Sequence, residues 1–292
     1  MIKAISFDLW ETLITDTPDA SRAQAELRLT RMEAILRNAG YTDSAQRIHD
    51  AHRTSWQRCQ ELYWSADRDI PCRTQVEHFL DVILSREDGE EARPDERDSS
   101  RSAALRMTDE VLDALEDAYA RAAVEILPSI VAGGTDVVRQ FDADGYTIGL
   151  ISNTGRTPGY ALREILDALG LAPHFDAMVF SNEHGFCKPQ QSIFEELRSK
   201  LGVAFDEMVF VGDNLYADVH GAQRCGMRAV HFVPPKRGTA IAPHVDHGLE
   251  IVPDATITEL RELPPIVSAW SDSPASPSTS HASSARARTH RG

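Results

Sequence analysis

The stretch Ile2-Lys3-Ala4-Ile5-Ser6-Phe7-Asp8-Leu9-Trp10-Glu11-Thr12-Leu13-Ile14 decides how the rest of the chain is read. Ile2, Ala4, Ile5 and Phe7 form a short apolar run with the length of a buried strand rather than a helix. The run stops at Asp8, and in an open parallel sheet the carboxyl ends of the strands are where ligands bind. Thr12 and Leu13-Ile14 follow at once, so the chain turns tightly and keeps its side chains near Asp8. By itself an Asp after a strand is an ordinary turn or cap residue. Three later stretches give it another meaning.

Each of them also follows a predicted strand. Tyr146–Ile151 ends in Ser152-Asn153-Thr154-Gly155, a hydroxyl followed by backbone amides in a turn of small residues. Such a turn suits a phosphate oxygen, and it equally suits a cap for the helix predicted over Pro158–Leu169. Ala177–Ser181 leads to Lys188-Pro189, where the proline keeps the Lys extended ahead of a helix over Gln191–Leu201. A Lys held at the mouth of a sheet is a point charge for phosphate. Met208–Val211 ends in Gly212-Asp213-Asn214, with Asp218 five residues after Asp213. Two carboxylates at that spacing can face one cavity and supply the hard oxygens that Mg2+ takes. Arg228–Val233 reads as a fifth strand.

Between Ile14 and Thr147 no strand is expected, and the apolar residues recur at helical spacing. Examples are His52, Ser55, Trp56, Cys59, Leu62 and Tyr63, then Val76, Phe79, Leu80, Ile83 and Leu84, then Val111, Leu112, Leu115, Ala118, Tyr119 and Ala122. These stripes read as the core of a helical insert, with Trp56 and Trp64 able to line a pocket at its open end. Ser85–Ser102 is almost free of apolar residues and reads as a solvated loop. Toward the C-terminus, Asp254–Leu263 is expected to be a short helix, His244-Val245-Asp246-His247 a solvated loop, and Ser271–Gly292 a disordered tail.

The 292 residues, 42% of them hydrophobic, can bury a substantial core. A net charge of −15 argues against nucleic acid or an anionic membrane as the main partner. No apolar run approaches the ~20 residues of a membrane span, and no signal peptide is evident, so the expected compartment is cytoplasmic. Cys59, Cys72, Cys187 and Cys225 are scattered, as free thiols are in a reducing compartment.

The ordered set Asp8, Ser152, Lys188, Asp213 and Asp218 resembles the haloacid dehalogenase superfamily of hydrolases. The resemblance covers Met1–Thr15 and Leu127–Leu263 and includes Lys188-Pro189, Phe194, Val211-Gly212-Asp213-Asn214, Gly221-Ala222 and Gly226-Met227. It implies an α/β fold: a Rossmann-like doubly wound parallel sheet core from residues 1–15 and 127–265. A helical cap domain would occupy residues 16–126 and a disordered tail residues 266–292. It further implies a Mg2+-dependent phosphatase of small phosphorylated metabolites, a monomer or homodimer. Asp8 would be the nucleophile forming an aspartyl-phosphate, Ser152 would bond the phosphoryl group and Lys188 would neutralise charge. Asp8, Asp213, Asp218 and the carbonyl of Trp10 would hold the metal. Trp10, Thr12, Asn153 and Thr154 would contact the substrate.

One residue departs from the pattern. Phosphatases of this family usually carry a second Asp two residues after the nucleophile, as general acid and then base, and here that position is Trp10. An indole can neither protonate a leaving alkoxide nor activate water, and such help is typically worth ~10²–10⁴-fold. Glu11 stands beside the gap. The departure keeps two alternatives open. One is a 2-haloacid dehalogenase-like enzyme in which Asp8 attacks carbon; family dehalogenases carry Tyr at this position and dispense with Mg2+, which the intact Asp213 and Asp218 weigh against. The other is a catalytically retired binding protein that kept the fold.

Overall fold

Strands β1 (Ala4–Phe7), β2 (Ile14–Thr15), β3 (Ser129–Ile130), β4 (Thr147–Ser152), β5 (Ala177–Phe180), β6 (Met208–Gly212), β7 (Arg228–Phe232) and β8 (Ala255–Ile257) are seen in the computed structural model, which describes residues 1–41, 44–85, 108–234 and 248–272. Six of them form one sheet in the order β5-β4-β1-β6-β7-β8, and every pairing in it is parallel. The chain builds outward from β1 to one side through β4 and β5, then crosses to the other side through β6, β7 and β8. The switch in direction lies beside β1, and in such doubly wound sheets that is where a ligand crevice opens.

Every residue of β1 and β6 is buried, which is why these strands read as continuous apolar runs. Alternate side chains nevertheless serve different layers. Val209 and Val211 join the cluster of Ile5, Phe7, Ile148 and Leu150, whereas Met208 and Phe210 join that of Ala4, Ile151, Ile193 and Phe194. Helices Gly134–Ala143 and Gly159–Ala168 cover the first face through Phe141, Leu162 and Ile165, and helix Gln191–Leu201 covers the second through Phe194 and Leu197. The register sets Phe7 opposite both Leu150 and Val211. Asp8, Ser152 and Asp213 therefore leave the sheet along one edge.

Between β2 and β3 the chain forms helices α1 (Pro18–Asn38), α2 (Ala45–Leu62), α3 (Cys72–Leu84) and α4 (Asp109–Ala120). They have a core of their own, built from Met32, Leu36, Ile48, Val76, Phe79 and Tyr119 among others. Helix α1 starts at Thr17, whose hydroxyl accepts from the Ala20 amide at 3.1 Å, with Pro18 in the first turn, where no amide donor is needed. It is largely polar, and its buried residues Gln24, Arg28, Met32 and Leu36 recur every four positions.

Several expectations are corrected. The stretch expected to lack strands contains two, β2 and β3, which pair antiparallel (Ile14 with Ile130) and clip together the two ends of the helical insert. Two residues are too few to show a period of two. Asp254–Leu263, expected as a helix, supplies strand β8 and a single tight turn, Leu260–Glu262. The helix comes later, at Leu263–Asp272, with Val267 buried and Ile266 and Trp270 against the main core. Part of the tail expected from residue 266 is thus ordered: Pro264-Pro265 opens this helix rather than ending one. Residues 86–102 of the expected loop, His244-Val245-Asp246-His247 and residues 273–292 lie outside the described residues. Among the described residues no helix is long and apolar enough to cross a membrane, and Cys59, Cys72, Cys187 and Cys225 are free.

Candidate active site

The edge of the sheet carries a buried knot of charges centred on Lys188. Its Nζ lies 2.6 Å from Asp8 Oδ1 and 2.7 Å from Asp218 Oδ1, and it donates to the carbonyl of Ile151 at 3.0 Å. Lys188 is 3% exposed, Asp8 7% and Asp218 2%, so these pairs are screened little by water. Burial raises the Asp8 carboxyl well above its ordinary range; the attraction of Lys188 works against the rise and the repulsion of Asp218 adds to it. Burial also works against the Lys188 ammonium, but Asp218 and Asp8 outweigh it and hold the ammonium charged above its usual range.

Local chain geometry aims each group. The Asp8 amide bonds to the carbonyl of Val211 at 2.9 Å, pinning the residue beside β6. The chain then doubles back: the amides of Leu13 and Ile14 both reach the Leu9 carbonyl, and Glu11 takes a left-handed φ of 60° to allow it. That reversal brings Thr12 over Asp8, where its hydroxyl donates to Asp8 Oδ2 at 3.2 Å. Trp10, half-buried, packs against the main core cluster. The carboxylate of Glu11 accepts from the Thr15 hydroxyl at 2.8 Å.

On β6, Gly212 leaves room for Asp218: a Cβ on Gly212 would fall 2.3 Å from the Asp218 carboxylate. Asp218 Oδ2 accepts from the Asn214 amide at 2.9 Å, and Asn214 in turn caps the turn Leu215–His220 by accepting from Tyr216 and Ala217. Oxygens of Asp8, Asp213 and Asp218 all lie within 4.8 Å of one another. Three carboxylates face one ammonium, and this excess of negative oxygen donors in a buried place fits a hard divalent cation such as Mg2+.

With that geometry in view, residues 2–226 match the family model "haloacid dehalogenase-like hydrolase". The chain belongs to this hydrolase family. It is 28% identical over 274 residues to a glyceraldehyde 3-phosphate phosphatase of Methanopyrus kandleri, covering 91% of this chain and 97% of that protein. It is 33% identical over 132 residues to the protein of the same name from Methanothermobacter thermautotrophicus, covering 44% of this chain and only 56% of that protein. In structure it resembles a 2-haloacid dehalogenase from Pseudomonas syringae pv. Tomato DC3000, with a TM-score of 0.57 at 21% identity, over 92% of this chain and 100% of that one.

Within this hydrolase the remaining residues expected at the site fall into place differently. Ser152 is fully buried, with its hydroxyl near the Asn153 carbonyl at 3.4 Å. The Asn153 side chain bonds the Lys188 backbone twice, donating to its carbonyl at 3.1 Å and accepting from its amide at 2.8 Å. Thr154 donates its hydroxyl to Asp69 Oδ2 at 2.8 Å and its amide to the Ser181 hydroxyl at 2.7 Å. Asn153 and Thr154 thus hold the Lys188 segment and the junction with the helical insert.

Asp69 was not picked out from the sequence. It is buried and also accepts from Trp64 Nε1 and its neighbour Ile70's amide, each at 2.8 Å, and from Ser181. Its backbone amide bonds Gly185, and Cys187 bonds Asp67, so the segment leading into α3 is laced to the residues just before Lys188. In the sequence Asp69 reads as an ordinary acid ahead of a helix, because each of its side-chain partners except Trp64 and Ile70 is more than 80 residues away.

Proposed function

We propose that this hydrolase is a Mg2+-dependent phosphatase that acts on a small phosphorylated metabolite through an aspartyl-phosphate on Asp8. The observation that carries the reading is the Lys188 ammonium within 2.7 Å of both Asp8 and Asp218, beside a set of three carboxylates. The near full-length relative named a glyceraldehyde 3-phosphate phosphatase supports it.

Asp8 Oδ attacks phosphorus and the bond to the leaving oxygen breaks, the leaving group departing as an oxyanion that takes its proton from water. Water then attacks the phosphorus of the acyl phosphate, releasing inorganic phosphate and regenerating the Asp8 carboxylate. Lys188 holds Asp8 ionised before attack and offsets charge on the phosphoryl oxygens, and Ser152 hydrogen-bonds one of them. Thr12 fixes the other Asp8 oxygen. Asp8, Asp213, Asp218 and the carbonyl of Trp10 would hold Mg2+, which when bound neutralises the transferring group's negative charge. The helical insert acts as a cap that excludes water and selects the substrate. Trp10 supplies no proton, so turnover depends on the leaving group's own acidity or on a donor brought by the substrate.

A panel of phosphate monoesters and 2-haloacids, each with and without Mg2+, tests the reading. Phosphate release that vanishes on chelation is expected. Halide release without the metal, and no phosphate release with it, would overturn the proposal.

A further inference from the structure

The cap buries a second group of charges that the reaction above leaves idle. Arg28 comes from α1, His52 from α2, Gln75 from α3 and Tyr119 from α4, while Arg156 comes from the loop after β4. Arg28 is 6% exposed and donates its Nε to the Tyr119 carbonyl at 2.7 Å. The Arg156 guanidinium lies 3.7 Å over the ring of Trp56, and its buried Nε has no hydrogen-bond partner. His52 is 8% exposed, and its Nε2 is likewise unpartnered.

The group is one-signed. Among the described residues neither Arg28 nor Arg156 forms an ion pair with a carboxylate: Tyr119, Cys72 and, most weakly, the carboxylate of Asp16 favour the Arg28 charge, and Arg156 has the Tyr119 side chain as its hydrogen-bond partner. Burial and then the neighbouring Arg156 push Arg28 down to about 10. Burial, then Arg156 and Arg28, push His52 down to about 3. Buried cations with no counter-charge are strongly unfavourable, and the arrangement lacks an anion.

The loop bearing Arg156 also bears Ser152. Thr154 ties it to Asp69, the carbonyl of Gly155 accepts from Gln75 Nε2 at 2.8 Å, and a Cβ on Gly155 would lie 3.3 Å from Trp56. Arg156 lies four positions after Ser152, so their Cα atoms are at most roughly 14 Å apart even if the loop is fully extended. A single short molecule can bridge that gap.

We propose that the Arg28–His52–Arg156 cluster receives a second oxyanion, a carboxylate or phosphate carried by the same substrate whose phosphoryl group sits at Asp8. The inference rests on the phosphatase reading and narrows it to small phosphate esters with a second acidic group.

The test is calorimetric titration of the Mg2+-loaded protein with phosphonopropionate, propane bisphosphonate and propylphosphonate, none of which is a cleavable ester. At least one of the two probes with a second anion should bind about tenfold or more tightly than propylphosphonate, and which one does so separates carboxylate from phosphate. Arg156→Gln should bring that ratio near one. Equal affinities in the wild type, a ratio unchanged in Arg156→Gln, or no binding of any probe would overturn the inference. Should Arg156→Gln fail to fold, the wild-type ratio and the Arg28→Met variant serve the same purpose. Hydrolysis of para-nitrophenyl phosphate by the wild type reads the phosphatase assignment separately, since that ester has no second anion.

Discussion

Lys188 and Arg28 are buried almost equally, at 3% and 6% exposed, yet their hold on the proton shifts in opposite directions. Lys188 has carboxylates at 2.6 and 2.7 Å and is held charged above its usual range despite burial. Arg28 has one backbone carbonyl and a second guanidinium nearby, and falls to about 10. Depth disfavours both cations; the company each keeps decides the outcome. The strand ends thus pair their cation with carboxylates and keep an excess of negative oxygens. The helical insert carries the opposite excess, which in the proposal above a ligand anion offsets.

The comparison can be broken hardest at Asp8. Asp8→Asn keeps the volume but removes the nucleophile, and phosphate release should fall by roughly three orders of magnitude or more. Circular dichroism and the melting curve should stay close to the parent. Undiminished turnover would refute the covalent route.

A stability contrast is next in size. Lys188→Met strips a buried network of its one cation and should cost about 3–5 kcal/mol in urea unfolding without metal, as breaking a buried pair does. Arg28→Met removes a charge on which the carboxylate of Asp16 acts only weakly, so its cost should stay near the ~1 kcal/mol of the lost bond to the Tyr119 carbonyl. Equal losses for the two variants would show that the cations of the helical insert are as well paired as Lys188, and the distinction between the regions would fall.

The two regions also differed in how far the sequence revealed them. Asp8, Ser152, Lys188, Asp213 and Asp218 each follow a strand whose apolar run is visible locally, and parallel pairing brings successive strand ends to one edge, so their meeting could be anticipated. The Arg28–His52–Arg156 cluster could not: it joins α1, α2 and the loop after β4, and Arg28 lies in a helix that looks largely polar. Its one clue was the four-residue spacing Gln24, Arg28, Met32, Leu36, which marks a buried stripe of mixed chemistry. Strand β8 escaped for a related reason, since its three residues are stabilised by pairing with β7 rather than by any local pattern.

The smallest expected effect reads the unbalanced charge directly, through pH. His52 is neutral when folded, pushed down to about 3 by burial, Arg156, Arg28 and His49 in that order, against about 6.5 in an unfolded chain. Between those values the unfolded state binds more protons than the folded one, so this group's contribution to stability is intact above about 6.5 and is lost as pH falls through the window. The slope it adds is at most about 1.4 kcal/mol per pH unit. Asp16 and Glu116 pull the other way, because burial raises both carboxyls in the folded state. Their influence is common to parent and variant and cancels in the difference. Urea unfolding of the parent and of His52→Gln from pH 7 to 5, in a buffer without oxyanions, should therefore show a shallower loss in the variant. Adding phosphonopropionate should shrink the difference, since an anion between Arg156 and Arg28 offsets the charge that keeps the proton off His52. Parallel slopes in ligand-free buffer would mean that the folded protein already accommodates a proton on His52, and that the positive excess around Arg28 and Arg156 is smaller than its geometry indicates.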